Sequence, residues 1–195
     1  IHVATTEWPG YTNLDGSGLY LDILKEVFPR NDHALETAFY PFARAQQHVY
    51  SKESDILLVE NELTLSKKAI YSRYLLDTGN VEYLHLASTN ITVLGSLADK
   101  KVGWIRGYHF EHKMPALFDA RRIFTVRELV HGIRMVKEGR LDVFIDYDVV
   151  IKETAKAHGI SLENCTLTTG FNENFLVGFA NNERGNRFLL MYEKG

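Results

Sequence analysis

The sequence VYSKESDILLVE at residues 49–60 returns in outline as VKEGRLDVFID at residues 136–146. In each copy a valine is followed six residues later by an aspartate, and then by a short apolar run that another acid closes. This order predicts a helix end, a tight turn and a buried strand. A chain that builds this unit once in each half is expected to fold as two similar α/β lobes. Open α/β sheets bind ligands beyond the carboxyl ends of their strands, so we expect Glu60 and Asp146, which close the two runs, to face one crevice.

Size, composition and charge limit the classes of protein to which the chain can belong. Its 195 residues, 45% of them hydrophobic, suffice for a packed core in one domain or in two small lobes. The net charge of -3, from 22 basic and 25 acidic residues that are well mixed, does not favour nucleic acid as a partner. No run approaches the roughly 18 apolar residues of a membrane helix, and we expect no signal peptide in a sequence that opens on a strand-like segment. The single cysteine, Cys165, excludes an internal disulfide and a multi-cysteine metal site.

Turn and helix signals predict the order of elements in the first lobe. Residues 1–6 alternate as a strand does, and a helix that Pro29 ends follows after a glycine-containing loop. Residues 35–39 suit a second strand, and Pro41 stands where the next helix begins. The first copy of the repeat then follows. A β-loop-α unit and a second strand therefore precede it.

The second lobe is predicted to have a similar order of strands and helices. A short strand at residues 101–105 leads through Gly107 into a helix, and another strand occupies residues 122–124. Thr125 and Glu128 have the spacing of a capping box, which predicts the start of the helix that precedes the second copy of the repeat.

Two crossings are expected to join the lobes. A run rich in tyrosine, leucine and valine leaves the first lobe, and the apolar residues 175–180, after a separate strand near residues 166–168, return to it. We therefore predict one lobe made of residues 1–87 and 173–195 and another made of residues 88–172.

Several short motifs carry a resemblance to a known family. In chain order they are WPGY at 8–11, DGSGL at 15–19, DILKEVF at 22–28, PFARA at 41–45, LADKKVG at 97–103 with Arg106-Gly107, and GRLD at 139–142. With these motifs the chain resembles the bacterial periplasmic solute-binding proteins of family 3, which serve polar amino acid ABC transporters.

The resemblance implies both a fold and a function. The fold is the two-lobed α/β type II periplasmic-binding architecture, or Venus flytrap, with two chain crossings. The function is capture of a small polar solute, an amino acid or a related amine, in the cleft between the lobes for delivery to an ABC transporter permease. The resemblance also implies a periplasmic location, a monomer and no cofactor.

The resemblance further suggests which residues hold the ligand. It places Asp146 where family members bind the ligand amine, and Lys67 or Arg73 where a carboxylate is received. An ammonium lacks the planar fork of the usual arginine, so we expect an amine-bearing solute rather than a plain α-amino acid held in the usual way. The other candidates are aromatic, basic or acidic residues near predicted strand ends and helix starts: Trp8, Tyr11, Phe42, Arg44, Glu60, Arg106, Tyr108 and His109.

Some of these candidates also have a purely structural interpretation. Trp8 and Tyr11 can cover the core of the lobe, since amphipathic aromatic residues serve both roles. Asp146 can cap the helix that follows it.

Arg44 lies in the first turn of a predicted helix, where it opposes the macrodipole, and this favours a ligand or ion-pair role. Tyr108 and His109 begin a predicted helix, whose backbone N–H groups can meet an anion.

Other functions are compatible with the same fold. A ligand-sensing domain of a signalling receptor is one alternative, and an enzyme resembling cyclohexadienyl dehydratase, with Glu60 and Asp146 as acid and base, is another. His109 and His112 are one helical turn apart, but no third ligand is evident, so no metal site is predicted. Cys165 has no activating neighbour and is not predicted to be a nucleophile. We predict a binding protein rather than an enzyme.

Overall fold

The structure is a computed structural model that describes residues 1–29, 33–61, 65–91, 97–114 and 122–195. Contacts within the chain divide it into two compact units. Unit 1 consists of Ile1–Thr78 and Asn174–Gly195, and unit 2 consists of Gly79–Glu173. Both division points fall inside strands, β5 (Asp77–Leu86) and β9 (Cys165–Ala180), so two strands carry the chain from one unit to the other. None of the helices in the described part of the chain is long and apolar enough to cross a membrane.

Unit 1 packs helices against a mixed sheet. Its elements are β1 (His2–Thr5), α1 (Leu19–Val27), β2 (Glu36–Phe39), α2 (Phe42–Tyr50), β3 (Ile56–Asn61), β4 (Ala69–Tyr71) and α5 (Glu183–Tyr192), with the last part of β9. Strand β1 lies parallel between β2 and β3, and β9 runs antiparallel to both β3 and β4. The buried side chains of Ala4, Val49, Leu57 and Ala180 contribute to one cluster that joins α2 to the sheet.

Unit 2 contains further strands with helices packed on them. Its elements are most of β5, then β6 (Val102–Ile105), a short 3-10 helix (Phe110–Lys113), β7 (Ile123–Val126), α3 (Leu129–Lys137), β8 (Val143–Tyr147), α4 (Asp148–Ala157) and the first part of β9. Strand β6 lies parallel between β7 and β8, and β8 pairs antiparallel with β5. Because each unit has a parallel β-α-β core, the predicted α/β fold class is confirmed.

The sequence repeat has the same backbone hydrogen bonds in both units. After α2, Lys52 has a left-handed φ of 68° and donates to the Val49 carbonyl at 3.0 Å. After α3, Gly139 has a φ of 67° and donates to the Val136 carbonyl, also at 3.0 Å. Each helix therefore ends in a left-handed turn of the Schellman type, three residues after the valine of the repeat.

The aspartate of each repeat connects the strand that follows it to the neighbouring parallel strand. The Asp55 carboxylate accepts a hydrogen bond from the His2 N–H at 2.8 Å, at the start of β1. The Asp142 carboxylate accepts one from the Lys101 N–H at 2.7 Å, next to β6. The repeat thus sets where a central strand joins its parallel neighbour, which explains why the same residue type stands at both positions.

A β-bulge interrupts β3 just before its end. Leu58 pairs with Val177 and Glu60 pairs with Leu176, so Val59 is an extra residue in β3. Val59 has a φ of 92°, which is rare for a β-branched side chain. Facing residues of an antiparallel pair point to the same side of the sheet, so the bulge turns Glu60 away from the side of Leu58 and toward the side that carries α2.

Three local expectations differ from the structure. The return to unit 1 is one 16-residue strand, β9, and not two separate strands. The predicted helix after Gly107 is only a four-residue 3-10 helix, preceded by His109 in the left-handed conformation. The predicted capping box does not form, because Thr125 pairs with Trp104 inside β7 and α3 begins at Leu129 without a side-chain cap.

Candidate functional site

The carboxyl ends of β6 and β8 lie at one edge of unit 2, because these two strands are parallel neighbours. Asp146 is near this end of β8, and the loop that begins with Arg106 leaves the end of β6. Tyr108 of that loop packs near Tyr147, with ring centroids 5.8 Å apart. Unit 2 therefore brings three of the predicted ligand-binding residues, Arg106, Tyr108 and Asp146, to the same strand-end edge.

Asp146 is the most unusual ionisable group at this edge. Its side chain is completely buried, and Oδ1 accepts a hydrogen bond from the Tyr147 N–H at 2.8 Å. Oδ2 is buried without a hydrogen-bond partner among the residues that the structure describes. Burial disfavours the ionised form and raises the pKa of Asp146 to about 8, although the Tyr147 hydrogen bond acts in the opposite direction. Ionisation of this carboxyl group therefore requires a cation or a hydrogen-bond donor at Oδ2.

A second acid faces Asp146 from the neighbouring strand. Glu82 of β5 stands directly opposite Asp146, so both side chains point to the same side of the sheet. Glu82 is 9% exposed, and its Oε1 accepts a hydrogen bond from the Thr169 hydroxyl at 3.1 Å. Two carboxyl groups at adjacent positions repel one another when both are ionised, so the pair favours a positively charged partner.

The basic residues of the same loop are exposed. Arg106 is exposed, and its backbone N–H donates to the Val126 carbonyl at 2.9 Å. His109 is also exposed, and its Nδ1 lies 2.7 Å from Glu111 Oε1. Because the helix after Gly107 is a short 3-10 helix, the backbone anion site that was expected from Tyr108 and His109 does not have the helix that it requires.

Glu60 of unit 1 is held by α2. The Gln46 amide Nε2 lies 3.1 Å and 2.9 Å from the two Glu60 carboxylate oxygens, and the Tyr50 hydroxyl lies 3.1 Å from Oε2. Burial first, and then the charge of Glu60, raise the pKa of Tyr50, which keeps its hydroxyl a donor. This contact exists because the bulge at Val59 turns Glu60 toward α2. Arg44, in the first turn of α2, is exposed, and its guanidinium lies 5.5 Å from the centre of the Tyr40 ring.

An aromatic cluster follows the end of β1. Trp8 is 5% exposed and packs at ring-centroid distances of 6.4 Å from Tyr11 and 5.3 Å from Phe175. Tyr11 is partly exposed and lies 4.7 Å from Tyr20, whose hydroxyl donates to Asp77 at 2.8 Å. Trp8 therefore covers the core, as its structural interpretation expected, while Tyr11 keeps a surface that solvent can reach.

The other predicted residues of unit 1 have different surroundings. Phe42 is 4% exposed at the start of α2. Lys67 is exposed, and its backbone carbonyl accepts a hydrogen bond from Asn181 at 3.1 Å. Arg73 forms an ion pair with Glu193 beyond the end of α5, with 3.2 Å between Nη2 and Oε2. Arg73 is thus engaged by another part of unit 1, whereas the roles of Phe42 and Lys67 in binding stay predictions.

Proteins similar to this chain are found among solved structures. No protein-family model and no curated protein sequence matches the chain. A mutant of arginine-bound ArgBP from T. maritima is 12% identical, with a TM-score of 0.79, and the match covers 100% of this chain and 92% of that one. AbpA, an amino acid ABC transporter substrate-binding protein from Streptococcus pneumoniae with bound L-arginine, is 18% identical, with a TM-score of 0.79 and coverages of 100% and 86%.

A histidine kinase sensor domain described as similar to periplasmic binding proteins is 11% identical, with a TM-score of 0.84 and coverages of 100% and 87%. The chain has the fold of the periplasmic binding proteins. The α/β fold of the periplasmic binding proteins, which the sequence motifs implied, is therefore confirmed. In this periplasmic-binding-protein fold, the acids that close the sequence repeat lie at or near the ends of β3 and β8.

Sequence reasoning missed three residues that shape these strand ends. Gln46 and Tyr50 hold Glu60, and Glu82 faces Asp146. A signal was present for Gln46, because it interrupts the apolar stripe of α2, in which Phe42, Ala45 and Val49 are also buried. Glu82 stands in the apolar run of β5, but nothing in the sequence indicates which strand lies beside it.

Proposed function

We propose that this chain is an extracytoplasmic solute-binding protein that captures a small cationic solute, an amino acid or a related amine, for uptake by an ABC transporter. The observation that carries the proposal is the buried Asp146 carboxyl group, whose Oδ2 has no hydrogen-bond partner among the described residues. A buried carboxylate is stable only when it is paired and hydrogen-bonded, and a ligand ammonium or guanidinium supplies both the charge and the donors.

The chemistry of the edge favours a cation with several donors. Asp146 supplies one acceptor and Glu82, opposite it, supplies a second. At the same strand-end edge the rings of Tyr108 and Tyr147 pack together, with their centroids 5.8 Å apart. The bound arginine of two structural neighbours carries both an ammonium and a guanidinium group, and this supports the same ligand class here.

Recognition of a ligand carboxylate is proposed to be weaker than recognition of the cation. Lys67 is exposed and offers a compact charge rather than a planar fork, and Arg73 is already paired with Glu193. We therefore expect decarboxylated amines such as agmatine to bind within about tenfold of the parent amino acid, since little directional hydrogen bonding is lost. Calorimetry with matched pairs of amino acid and amine measures this difference. A loss of binding by several orders of magnitude on decarboxylation would contradict it.

Binding rather than catalysis is proposed because the second acid of the suggested pair is occupied. Glu60 accepts hydrogen bonds from Gln46 and Tyr50, which hold its carboxylate in place. The structural neighbours named above are described as binding or sensor proteins. We accordingly expect no cofactor, a monomer, a periplasmic or equivalent extracytoplasmic location, and a transporter permease as the partner.

A second candidate function is that of a ligand-sensing domain in a signalling receptor. The histidine kinase sensor domain has a TM-score of 0.84, compared with 0.79 for the two arginine-bound proteins. Both candidates require a small-molecule ligand, so the same binding experiments apply to each. A membrane-spanning segment and a signalling domain encoded in the same gene would favour the sensor, and an adjacent permease gene would favour the transporter.

Native mass spectrometry of gently purified protein tests the proposal first, because a retained small molecule identifies the ligand directly. Calorimetry with that ligand, or with arginine, histidine, lysine and agmatine, then compares Asp146→Asn with Asp148→Asn. Loss of one partner of a buried charge pair typically costs about 2 to 5 kcal/mol, so Asp146→Asn should weaken binding at least tenfold. Asp148 is partly exposed and pairs with Lys152 at 2.6 Å, and its substitution should leave affinity nearly unchanged. Equal losses in both variants would refute a specific contact with Asp146.

Proton release gives an independent check of the same contact. Since the pKa of Asp146 is about 8 in the free protein, the group is mostly protonated at pH 7. Pairing with a cation requires the ionised form, so binding at pH 7 should release about 0.9 proton, and affinity should rise about fiftyfold between pH 6 and pH 8. Calorimetry in buffers of different ionisation enthalpy measures the released proton. Absence of release in the wild type, with intact binding, would show that the cation does not reach Asp146.

A further inference from the structure

The short 3-10 helix of unit 2 carries a group of three metal-binding side chains that no part of the proposed function uses. His109, Glu111 and His112 each offer one ligand atom, and these three atoms all lie within 4.8 Å of one another. His109 Nδ1 and Glu111 Oε1 are 2.7 Å apart. We propose that this group binds a divalent transition-metal ion of the zinc type. The proposal is independent of which solute the strand-end edge recognises.

The distances are compatible with a shared metal ion. Ligand atoms about 2.0 to 2.2 Å from a tetrahedral zinc ion lie roughly 3.3 Å from one another. The His109–Glu111 distance is already shorter than this, because the two groups form a direct polar contact that a metal would replace. The imidazole rings of His109 and His112 have centroids 6.0 Å apart and planes inclined by 34°. His109 and His112 are exposed and Glu111 is partly exposed, so their side chains can rotate to shorten the remaining distances.

The backbone beneath the three side chains is held by buried neighbours. Tyr108, Phe110 and Met114, which alternate with or follow the proposed ligands, are 2%, 0% and 3% exposed. His109 directly precedes the 3-10 helix, and the centroid of its ring lies 6.0 Å from that of His112. The His112 N–H donates to the His109 carbonyl at 3.1 Å, which fixes this spacing. The anchored backbone thus presents three ligands in a defined arrangement.

The left-handed conformation of His109 contributes to this arrangement. Its φ is 54°, in a region where histidine is several-fold enriched among residues other than glycine. With that conformation, His109 is 49% exposed in its side chain and Glu111 is 27% exposed. The group is therefore open to solvent, so that water can complete the coordination of a bound ion.

The ligand types select the class of metal. Two imidazoles and one carboxylate suit zinc, copper or nickel, whereas calcium and magnesium prefer sites made only of oxygen ligands. The simpler interpretation is a surface His–Glu ion pair with a histidine nearby. The chain offers a matched example of that situation, because His131 Nδ1 lies 3.8 Å from Glu128 Oε2 at the start of α3, with no third ligand beside them among the described residues.

Zinc titration of the metal-stripped protein tests the proposal. Calorimetry should show one tight site per chain in the wild type and no comparable site for magnesium or calcium. His112→Gln and Glu111→Gln should each weaken zinc binding at least tenfold, and His131→Gln should leave it unchanged. Thermal unfolding without metal should be the same for all variants, since the substituted side chains are exposed or partly exposed.

Cobalt absorption provides the second readout, because a site of low coordination number gives intense visible bands that exposed single histidines do not give. These bands should appear in the wild type and in His131→Gln, and should be absent in His112→Gln. Equal weakening of zinc binding by His131→Gln, or unchanged binding in both ligand variants, would overturn the proposal.

Discussion

Replacing Asp146 by asparagine should change how the stability of unit 2 depends on pH. In the folded protein burial raises the pKa of Asp146 to about 8, compared with 3.8 for an unburied carboxyl group. Between these values the folded state keeps a proton that the unfolded state gives up, so the free energy of unfolding falls as pH rises. The contribution of protonated Asp146 is complete below about pH 4 and is lost as pH passes 8. Asparagine has no such titration.

The magnitude follows from the pKa difference. One pKa unit corresponds to about 1.4 kcal/mol, so a difference of about four units gives a total on the order of 5 kcal/mol. Between pH 5 and pH 7, Asp146→Asn should become more stable relative to the wild type by about 3 kcal/mol. Both proteins must be free of ligand, because a bound cation would lower the pKa of Asp146 and remove part of the effect.

Urea unfolding followed by tryptophan fluorescence measures this difference in unit 2. The chain has two tryptophans, of which Trp8 lies in unit 1 and Trp104 lies in unit 2, both buried. A Trp8→Phe background leaves Trp104 as the only tryptophan reporter, and measurements at pH 5, 6, 7 and 8 give the slope. Asp148→Asn, in the same background, is the matched control, because Asp148 is partly exposed and pairs with Lys152.

A constant stability difference between Asp146→Asn and the wild type from pH 5 to pH 8 would refute the argument. That result would mean that Asp146 is ionised in the folded protein throughout this range, and that a partner satisfies its second oxygen. The proposal of a ligand cation at Asp146 would then lose its main support.

Two further predictions concern packing and hydrogen bonding. Gly132→Ala should destabilise unit 2 by about 1 to 3 kcal/mol, because the added Cβ would overlap the fully buried Phe144 ring, and this outweighs the gain of about 1 kcal/mol in helix propensity. Gln46→Leu should destabilise unit 1 by about 1 to 3 kcal/mol, because Glu60 loses a donor to both of its buried carboxylate oxygens. Chemical denaturation of each variant measures both effects.

Matched variants distinguish these mechanisms from general effects of substitution. Gly139→Ala places a Cβ where no atom lies within 4 Å. Only the left-handed φ of this residue opposes the substitution, which should lower the free energy of unfolding by about 1 kcal/mol. Tyr50→Phe removes one hydrogen bond to Glu60 and should cost less than Gln46→Leu. A cost for Gly139→Ala equal to that of Gly132→Ala would contradict the overlap argument. A neutral Gln46→Leu would show that Glu60 does not depend on α2.

Local sequence patterns were sufficient to predict the repeated helix, turn and strand in both units. The left-handed turn residues Lys52 and Gly139 stand three positions after a valine, and Asp55 and Asp142 stand three positions later. These features depend on hydrogen bonds and side-chain spacing within about ten residues, which a sequence displays directly. Patterns shared by both halves therefore indicated the α/β class and the acids near the strand ends.

Strand register decided what those acids contact. The bulge at Val59 turns Glu60 toward α2, and the pairing of β5 with β8 sets Glu82 opposite Asp146 across 64 positions of sequence. A shift of one residue in either pairing would send these side chains to the other side of the sheet. Short-range spacing does not specify that choice.

The sequence by itself determined where α2 and α3 end, where β3 and β8 begin and which acids stand near the ends of those two strands. Only the tertiary structure decided that Asp146 is buried beside a second acid, that Glu60 is held by Gln46, and that Glu111 joins His109 and His112. The physical reason is that turns and helix ends are fixed by interactions between near neighbours. Burial, pKa and ligand geometry depend instead on which distant segments pack together, and on the exact register in which they do so.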